Sequence, residues 1–126
     1  LVAVTRLLRA LRGAVAITED TPEEVASQVE ALLREAFAQN DIATEDLVSI
    51  VFTATDDIGS AFPAQAARER LGLADVPLLC AREMKVEGAL PGVIRLLVHF
   101  YTERDRHEVK HVYLGLATGL RPDLVI

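Results

Sequence analysis

Val93-Ile94-Arg95-Leu96-Leu97-Val98-His99-Phe100-Tyr101 is an apolar run with one guanidinium set inside it. β-Branched and aromatic residues dominate the run and Gly92 precedes it, so it reads as a long strand. Arg95 stands beside Ile94 and Leu96 and shares a strand face with Val93 and Leu97. Apolar residues on both faces mark a strand that is covered on each side. A guanidinium does not give up its proton, so Arg95 needs either a partner or a wet site. Left buried and unpaired, it would offset much of the stability of a small domain.

The same placement recurs along the chain. Leu11-Arg12-Gly13-Ala14-Val15-Ala16-Ile17 carries Arg12, and Leu120-Arg121-Pro122-Asp123-Leu124 carries Arg121. Val76-Pro77-Leu78-Leu79-Cys80-Ala81-Arg82-Glu83-Met84 ends in a thiol and a carboxylate. The chain is acidic, with a formal net charge of −6. Arginines gathered in its apolar runs point to a pocket for an anion with more than one carboxylate or phosphate.

Other elements follow outward from these runs. Residues 47–53 (LVSIVFT) form a second rich β-former, and residues 11–17, 76–81 and 111–114 read as three further strands. Thr21-Pro22-Glu23-Glu24 is a helix start, with Thr as N-cap and Pro at the first position. Val25, Val29, Leu32, Leu33, Ala36 and Phe37 continue it at helical spacing, and Asn40 ends it. Phe62-Pro63-Ala64 opens a second helix that Gly72 closes. Residues 84–92 form a loop and residues 102–109 a charged connector, and a small helical or coiled segment runs to Leu120. Two helices are few for both faces of a five-stranded sheet, so neighbouring subunits are expected to cover the rest.

The chain has 126 residues and 51% hydrophobic content, enough for one domain with a proper core. Residues 1–10 read as an N-terminal extension and residues 11–126 as the domain. No basic face suited to nucleic acid stands out. No uncharged stretch approaches the roughly 20 residues of a membrane span. Arg9 and Arg12 interrupt the apolar stretch that a signal peptide would need before Ala14-Val15-Ala16. Cys80 is the sole cysteine, which fits a reducing cytoplasm. His99, His107 and His111 have no zinc-ligand spacing with it.

Taken singly, each polar residue also has a plain structural reading. Arg12 can be an edge residue and Arg121 a loop residue. Glu83 can be a solvated strand end, Tyr113 a core aromatic, and Cys80 a small buried hydrophobe. Asp56-Asp57 fits a turn or a cap better than a metal site.

Their joint order is more specific. Arg12-Gly13-Ala14, Ser60-Ala61-Phe62-Pro63-Ala64 with Arg68, Cys80-Ala81-Arg82-Glu83-Met84, Val93-Ile94-Arg95, His111-Val112-Tyr113-Leu114 and Leu120-Arg121-Pro122-Asp123-Leu124 follow one another. Together they resemble the monofunctional, trimeric chorismate mutases of the Bacillus type. The resemblance spans residues 11–124. It implies an α+β fold with a mixed sheet, assembled as a pseudo-α/β-barrel homotrimer with active sites between subunits. It implies rearrangement of chorismate to prephenate in phenylalanine and tyrosine biosynthesis, with no cofactor and no metal.

By the same resemblance, Arg12 and Tyr113 bind a substrate carboxylate and Arg95 reaches the ether oxygen and a carboxylate. Glu83 accepts a hydrogen bond from the ring hydroxyl, so Arg95, Glu83 and Arg12 are the catalytic set. Leu79, Cys80, Ala81 and Arg82 line the pocket beside Glu83. Phe62 and Ala64 form an apolar wall from the neighbouring subunit. Arg68 and Arg121 are peripheral cations, with Leu120 beside Arg121. Two positions depart from the family pattern. Gln65 stands where a lysine often follows Phe-Pro-Ala, and Leu79 where a threonine often precedes the cysteine. These bear on a cationic rim and on one polar contact.

The implied chemistry suits the residues. Chorismate is a dianion, and a concerted rearrangement needs no nucleophile or proton shuttle. Two other readings stay open on sequence. One is a deaminase of reactive enamine and imine intermediates with a similar trimeric fold. The other is a regulator that binds a carboxylate metabolite without turning it over.

Overall fold

The computed structural model describes residues 5–120. Among them, five strands form one mixed sheet: β1 (Leu7–Ala16), β2 (Leu47–Ala54), β3 (Leu78–Arg82), β4 (Val93–Thr102) and β5 (Val112–Leu114). Two α-helices, α1 (Pro22–Gln39) and α2 (Pro63–Leu71), connect the strands, with short 3-10 turns at Thr44–Asp46, Arg106–Glu108 and Gly115–Gly119. The strand order is β3-β2-β4-β1-β5. The arginine-bearing β4 is central and runs antiparallel to both β1 and β2. The outer pairs β2–β3 and β1–β5 are parallel.

The helices end where local chemistry dictates. Thr21 Oγ1 accepts the Glu24 N–H at 3.1 Å, and Pro22 opens α1. Asn40 closes it, nearly fully buried. Its amide donates to the Ala36 and Lys110 carbonyls, and its side-chain oxygen accepts the Lys110 N–H at 2.7 Å. Gly72 closes α2 in the left-handed region, as expected for a helix C-terminus.

Strand limits differ from the sequence reading at two places. The first strand begins at Leu7, not residue 11. Leu7–Ala10 pairs with residues 99–102 of β4, so these residues belong to the sheet and do not stand apart as an extension. The ten-residue β4 supplies that pairing edge, and Arg9 Nε holds the start of β1 by donating to the Arg104 carbonyl at 3.3 Å. The third strand begins at Leu78 and not at Val76. Pro77 has no N–H to donate, although its carbonyl accepts the Ile50 N–H at 3.0 Å.

Both helices pack on one face of the sheet. Leu11 and Val15 of β1, Ile50 and Phe52 of β2, and Ile94, Leu96, Val98 and Phe100 of β4 point that way. They meet Val25, Val29, Leu32 and Leu33 of α1 and Ala66 and Ala67 of α2 in the main core. Burying a side chain of this size stabilises by about 1.5–3 kcal/mol. Gly13 is needed in this layer: a Cβ there would stand 3.0 Å from the Val112 carbonyl and from Leu96.

Among the described residues, the opposite face is covered only at one corner. There the Gly115–Gly119 turn buries Ala14, Val93 and Ala117, with Leu90, Tyr113 and Leu120 packed around them. Elsewhere Leu8, Leu79, Leu97 and Tyr101 remain exposed, Leu79 at 62%. Alternation along β4 therefore places Arg95 on the uncovered face, with Leu97, His99 and Tyr101.

Candidate active site

One lateral row crosses all five strands on the uncovered face. Ala81 of β3 pairs with Thr53 of β2, and Thr53 with Arg95 of β4. Arg95 pairs with Ala14 of β1, and Ala14 with Tyr113 of β5. The next row holds Leu79, Val51, Leu97 and Arg12. Neighbouring strands lie about 4.8 Å apart, so Arg95 and Tyr113 are separated by roughly 10 Å. Small side chains flank the arginine in its row, with Ala14 on one side and Thr53 then Ala81 on the other.

Glu83 lies just past β3, where its N–H still donates to the Ala54 carbonyl at 2.9 Å. Its side chain turns back over the row. Glu83 Oε2 accepts the Thr53 hydroxyl at 2.8 Å and lies 3.4 Å from Arg95 Nε. Glu83 Oε1 accepts the Met84 N–H at 3.1 Å. The Arg95 side chain is 44% exposed. Among the described residues its terminal nitrogens have no hydrogen-bond partner, and neither has the Arg12 guanidinium. This corner presents cations and an oriented carboxylate to a wet space.

The remaining expected residues fall elsewhere. Arg82 sits on the strand face opposite to Ala81 and donates to the Thr55 and Ile58 carbonyls at 2.7 and 2.9 Å. Its guanidinium thereby straps the loop after β2, and this bonding is not that of a free ligand contact. Cys80 packs against the main core. Beside it, a cleft of about 510 Å³ is lined by Cys80, Ala81, Arg82, Phe62 and Ala54. Phe62 is 68% exposed, whereas Ala64 is only 5% exposed and lies in the core of its own chain. As a wall for ligand, Phe62 fits and Ala64 offers little surface, because Pro63 and Ala64 form the buried first turn of α2. Gln65 bonds Glu69 along the same helix at 3.0 Å, and Arg68 is exposed one turn in. Leu120 packs over the buried corner with Tyr113. Arg121 lies outside the described residues.

A second cleft, of about 290 Å³, opens beside Glu83 under the loop of residues 84–92. Asp57 anchors that loop. Its Oδ1 accepts the Thr55 hydroxyl at 2.5 Å and the Gly92 N–H at 3.2 Å. The Thr55 hydroxyl, and to a lesser extent the Gly92 N–H, holds the Asp57 carboxyl below the usual carboxylate range. Asp56-Asp57 is thus a turn device. Among the described residues one group could approach a metal ion: Asp105, His107 and Glu108, all exposed. It lies on the charged connector and includes none of the row residues.

Thr53 escaped the reading of sequence as a site residue. The period-two alternation of β2 could have placed Thr53 on the face of Arg95. Its bond to Glu83 depends on the β2–β3 register, which sequence does not fix.

The model of the family described as chorismate mutase type I matches residues 8–124. The chain belongs to the chorismate mutase type I family. It is 46% identical over 119 residues to chorismate mutase AroH of Thermus thermophilus, covering 94% of this chain and 97% of that protein. It is 37% identical over 118 residues to chorismate mutase AroH of Bacillus subtilis, covering 94% and 93%. A solved chorismate mutase from Clostridium thermocellum superposes with a TM-score of 0.85 at 38% identity, covering 87% of this chain and 97% of that one. The α+β fold and mixed sheet expected of a chorismate mutase are those observed. The deaminase and regulator readings gain no support from these relatives.

Proposed function

We propose that this chorismate mutase family member rearranges chorismate to prephenate at the Arg95–Glu83 corner, in a homotrimer whose neighbouring subunit closes the site. The observation that carries the reading is the pairing of Arg95 with a fixed Glu83 on a sheet face that the described residues leave open. Tyr113 and Arg12 lie on the same face.

The reaction is pericyclic: one carbon–oxygen bond breaks as one carbon–carbon bond forms. The substrate must fold its enolpyruvyl chain over the ring before this can happen. Arg12 and Tyr113 hold a carboxylate, and Arg95 holds the other end, a positioning task suited to fixed donors. As the carbon–oxygen bond breaks, negative charge grows on the ether oxygen. The terminal nitrogens of Arg95, without a hydrogen-bond partner among the described residues, meet that charge. A preorganised cation there is worth more in the transition state than in the ground state, the condition for raising kcat. Glu83 has acceptor capacity left on Oε1 for the ring hydroxyl.

Assembly follows from the uncovered face. Leu8, Leu79, Leu97 and Tyr101 form apolar surface that a second copy would remove from water. Phe62 projects away from its own chain beside a cleft, where it can wall a neighbour's site. Among the described residues no helix is long and apolar enough to cross a membrane. A cytoplasmic setting agrees with the single free Cys80.

The test is to incubate the pure protein with chorismate and follow prephenate. The expected result is turnover far above the uncatalysed rate, unaffected by chelators. Chorismate decaying at its uncatalysed rate in the presence of folded protein would refute the proposal.

A further inference from the structure

We propose that Thr53 is a positioning residue of this reaction: its hydroxyl pins the Glu83 carboxylate beside Arg95 and keeps the two from closing into a bidentate pair. The inference rests on the roles assigned above to Arg95 and Glu83, and adds a residue those roles do not contain.

Glu83 would otherwise be poorly held. It stands beyond the last residue of β3 and carries a side chain with three rotatable torsions. The loop that follows offers little packing, since Met84 and Val86 are exposed. Thr53 is better fixed. It lies within β2, between the strand that carries Arg95 and the strand that leads to Glu83. Its β-branched side chain has few rotamers, so its hydroxyl oxygen has a set position.

The geometry gives this donor a second effect. A carboxylate beside a guanidinium tends to form a bidentate pair, with two parallel N–H···O bonds. Such a pair would consume the donors that Arg95 needs for the ether oxygen. Here Thr53 donates to Glu83 Oε2 at 2.8 Å, while Arg95 Nε stands 3.4 Å from that oxygen and makes an ion pair without a hydrogen bond. The Met84 N–H restrains the other oxygen at 3.1 Å. Glu83 is thereby kept close enough to orient Arg95 and is prevented from closing on it. Without the hydroxyl, Glu83 swings onto the guanidinium and both groups lose their substrate contacts.

The test is kinetic. Thr53→Val keeps the shape and removes the donor. Its kcat should fall roughly ten- to hundredfold, the scale of a charge-assisted hydrogen bond, with a smaller change in KM. Thr53→Ser, which restores the hydroxyl, should recover most of the loss. In a Glu83→Ala background, Thr53→Val should add less than about a twofold effect, because the two act as one unit. Circular dichroism and sizing accompany each variant. Should Thr53→Val fold poorly, Thr53→Ala compared with Thr53→Ser makes the same test. Normal kcat in folded Thr53→Val, with Glu83→Ala slow, would overturn the inference and leave the site intact. Equal losses from Thr53→Val with and without Glu83 would also overturn it. Wild-type kcat in Glu83→Ala would instead overturn the site assignment on which it rests.

Discussion

Arg95 and Tyr113 lie on one row of the sheet with a single residue, Ala14, between them. Ala14 is fully buried beneath the corner formed by Ala117, Tyr113 and Leu120. The room between the two proposed substrate contacts is therefore filled by a methyl group. Ala14→Val should overpack this corner, at about 1–3 kcal/mol of stability, and displace Tyr113. Thermal unfolding should show the lower Tm, and chorismate kinetics a raised KM. An unchanged KM in the folded variant would separate Tyr113 from carboxylate binding.

Cys80 should not be a covalent catalyst. Its side chain lies against the core, on the strand face opposite to Ala81 and the Arg95 row. Cys80→Ala should retain most of the activity, and intact-mass spectra during turnover should show no adduct. A loss as large as that caused by replacing Arg95 would argue for nucleophilic chemistry.

Acid should loosen the loop of residues 84–92. Asp57 has a depressed folded-state value, so its contribution to stability is present above the unfolded value of about 3.9. That contribution is lost as the pH falls through the folded value. Protection of the Gly92 amide against hydrogen exchange, corrected for intrinsic rates, should drop once the pH falls below the ordinary carboxylate range. In Asp57→Asn the loop should be loose already at neutral pH. Equal protection of Gly92 in Asp57→Asn and in the wild type at neutral pH would exclude Asp57 as the anchor.

The uncovered sheet face should be an interface. Light scattering in dilute buffer should give three chains per particle. Leu97→Asp places a charge amid that face and should shift the protein toward smaller species with loss of activity. A clean wild-type monomer with full activity would contradict a site shared between subunits.

Much of this was legible in the sequence. The Thr21-Pro22 start, Asn40 and Gly72 are local signals, and both helices run where those signals place them. The mid-strand guanidinium of Arg95 was legible as an arginine needing a partner or a wet site, and it has Glu83 at 3.4 Å and an exposed side. What stayed hidden depends on pairing between distant strands. Leu7–Ala10 joins the sheet only because β4 is long enough to receive it. Arg82 sits in the same apolar run as Glu83, yet one step of strand alternation turns it away to the Thr55 and Ile58 carbonyls. Ala64 is adjacent to an exposed Phe62 but faces inward, since α2 begins between them. Thr53 meets Glu83 only through the β2–β3 register.

The most direct test of the account is the steady-state kinetics of Arg95→Lys with chorismate. Lysine keeps the charge but lacks the planar fork that can reach an ether oxygen and a carboxylate together. With circular dichroism and sizing unchanged, kcat should fall by roughly 10² to 10³, the scale for removing one oxyanion donor. Near-normal kcat in a folded, fully assembled Arg95→Lys variant would contradict the account and move the electrostatic role to another cation.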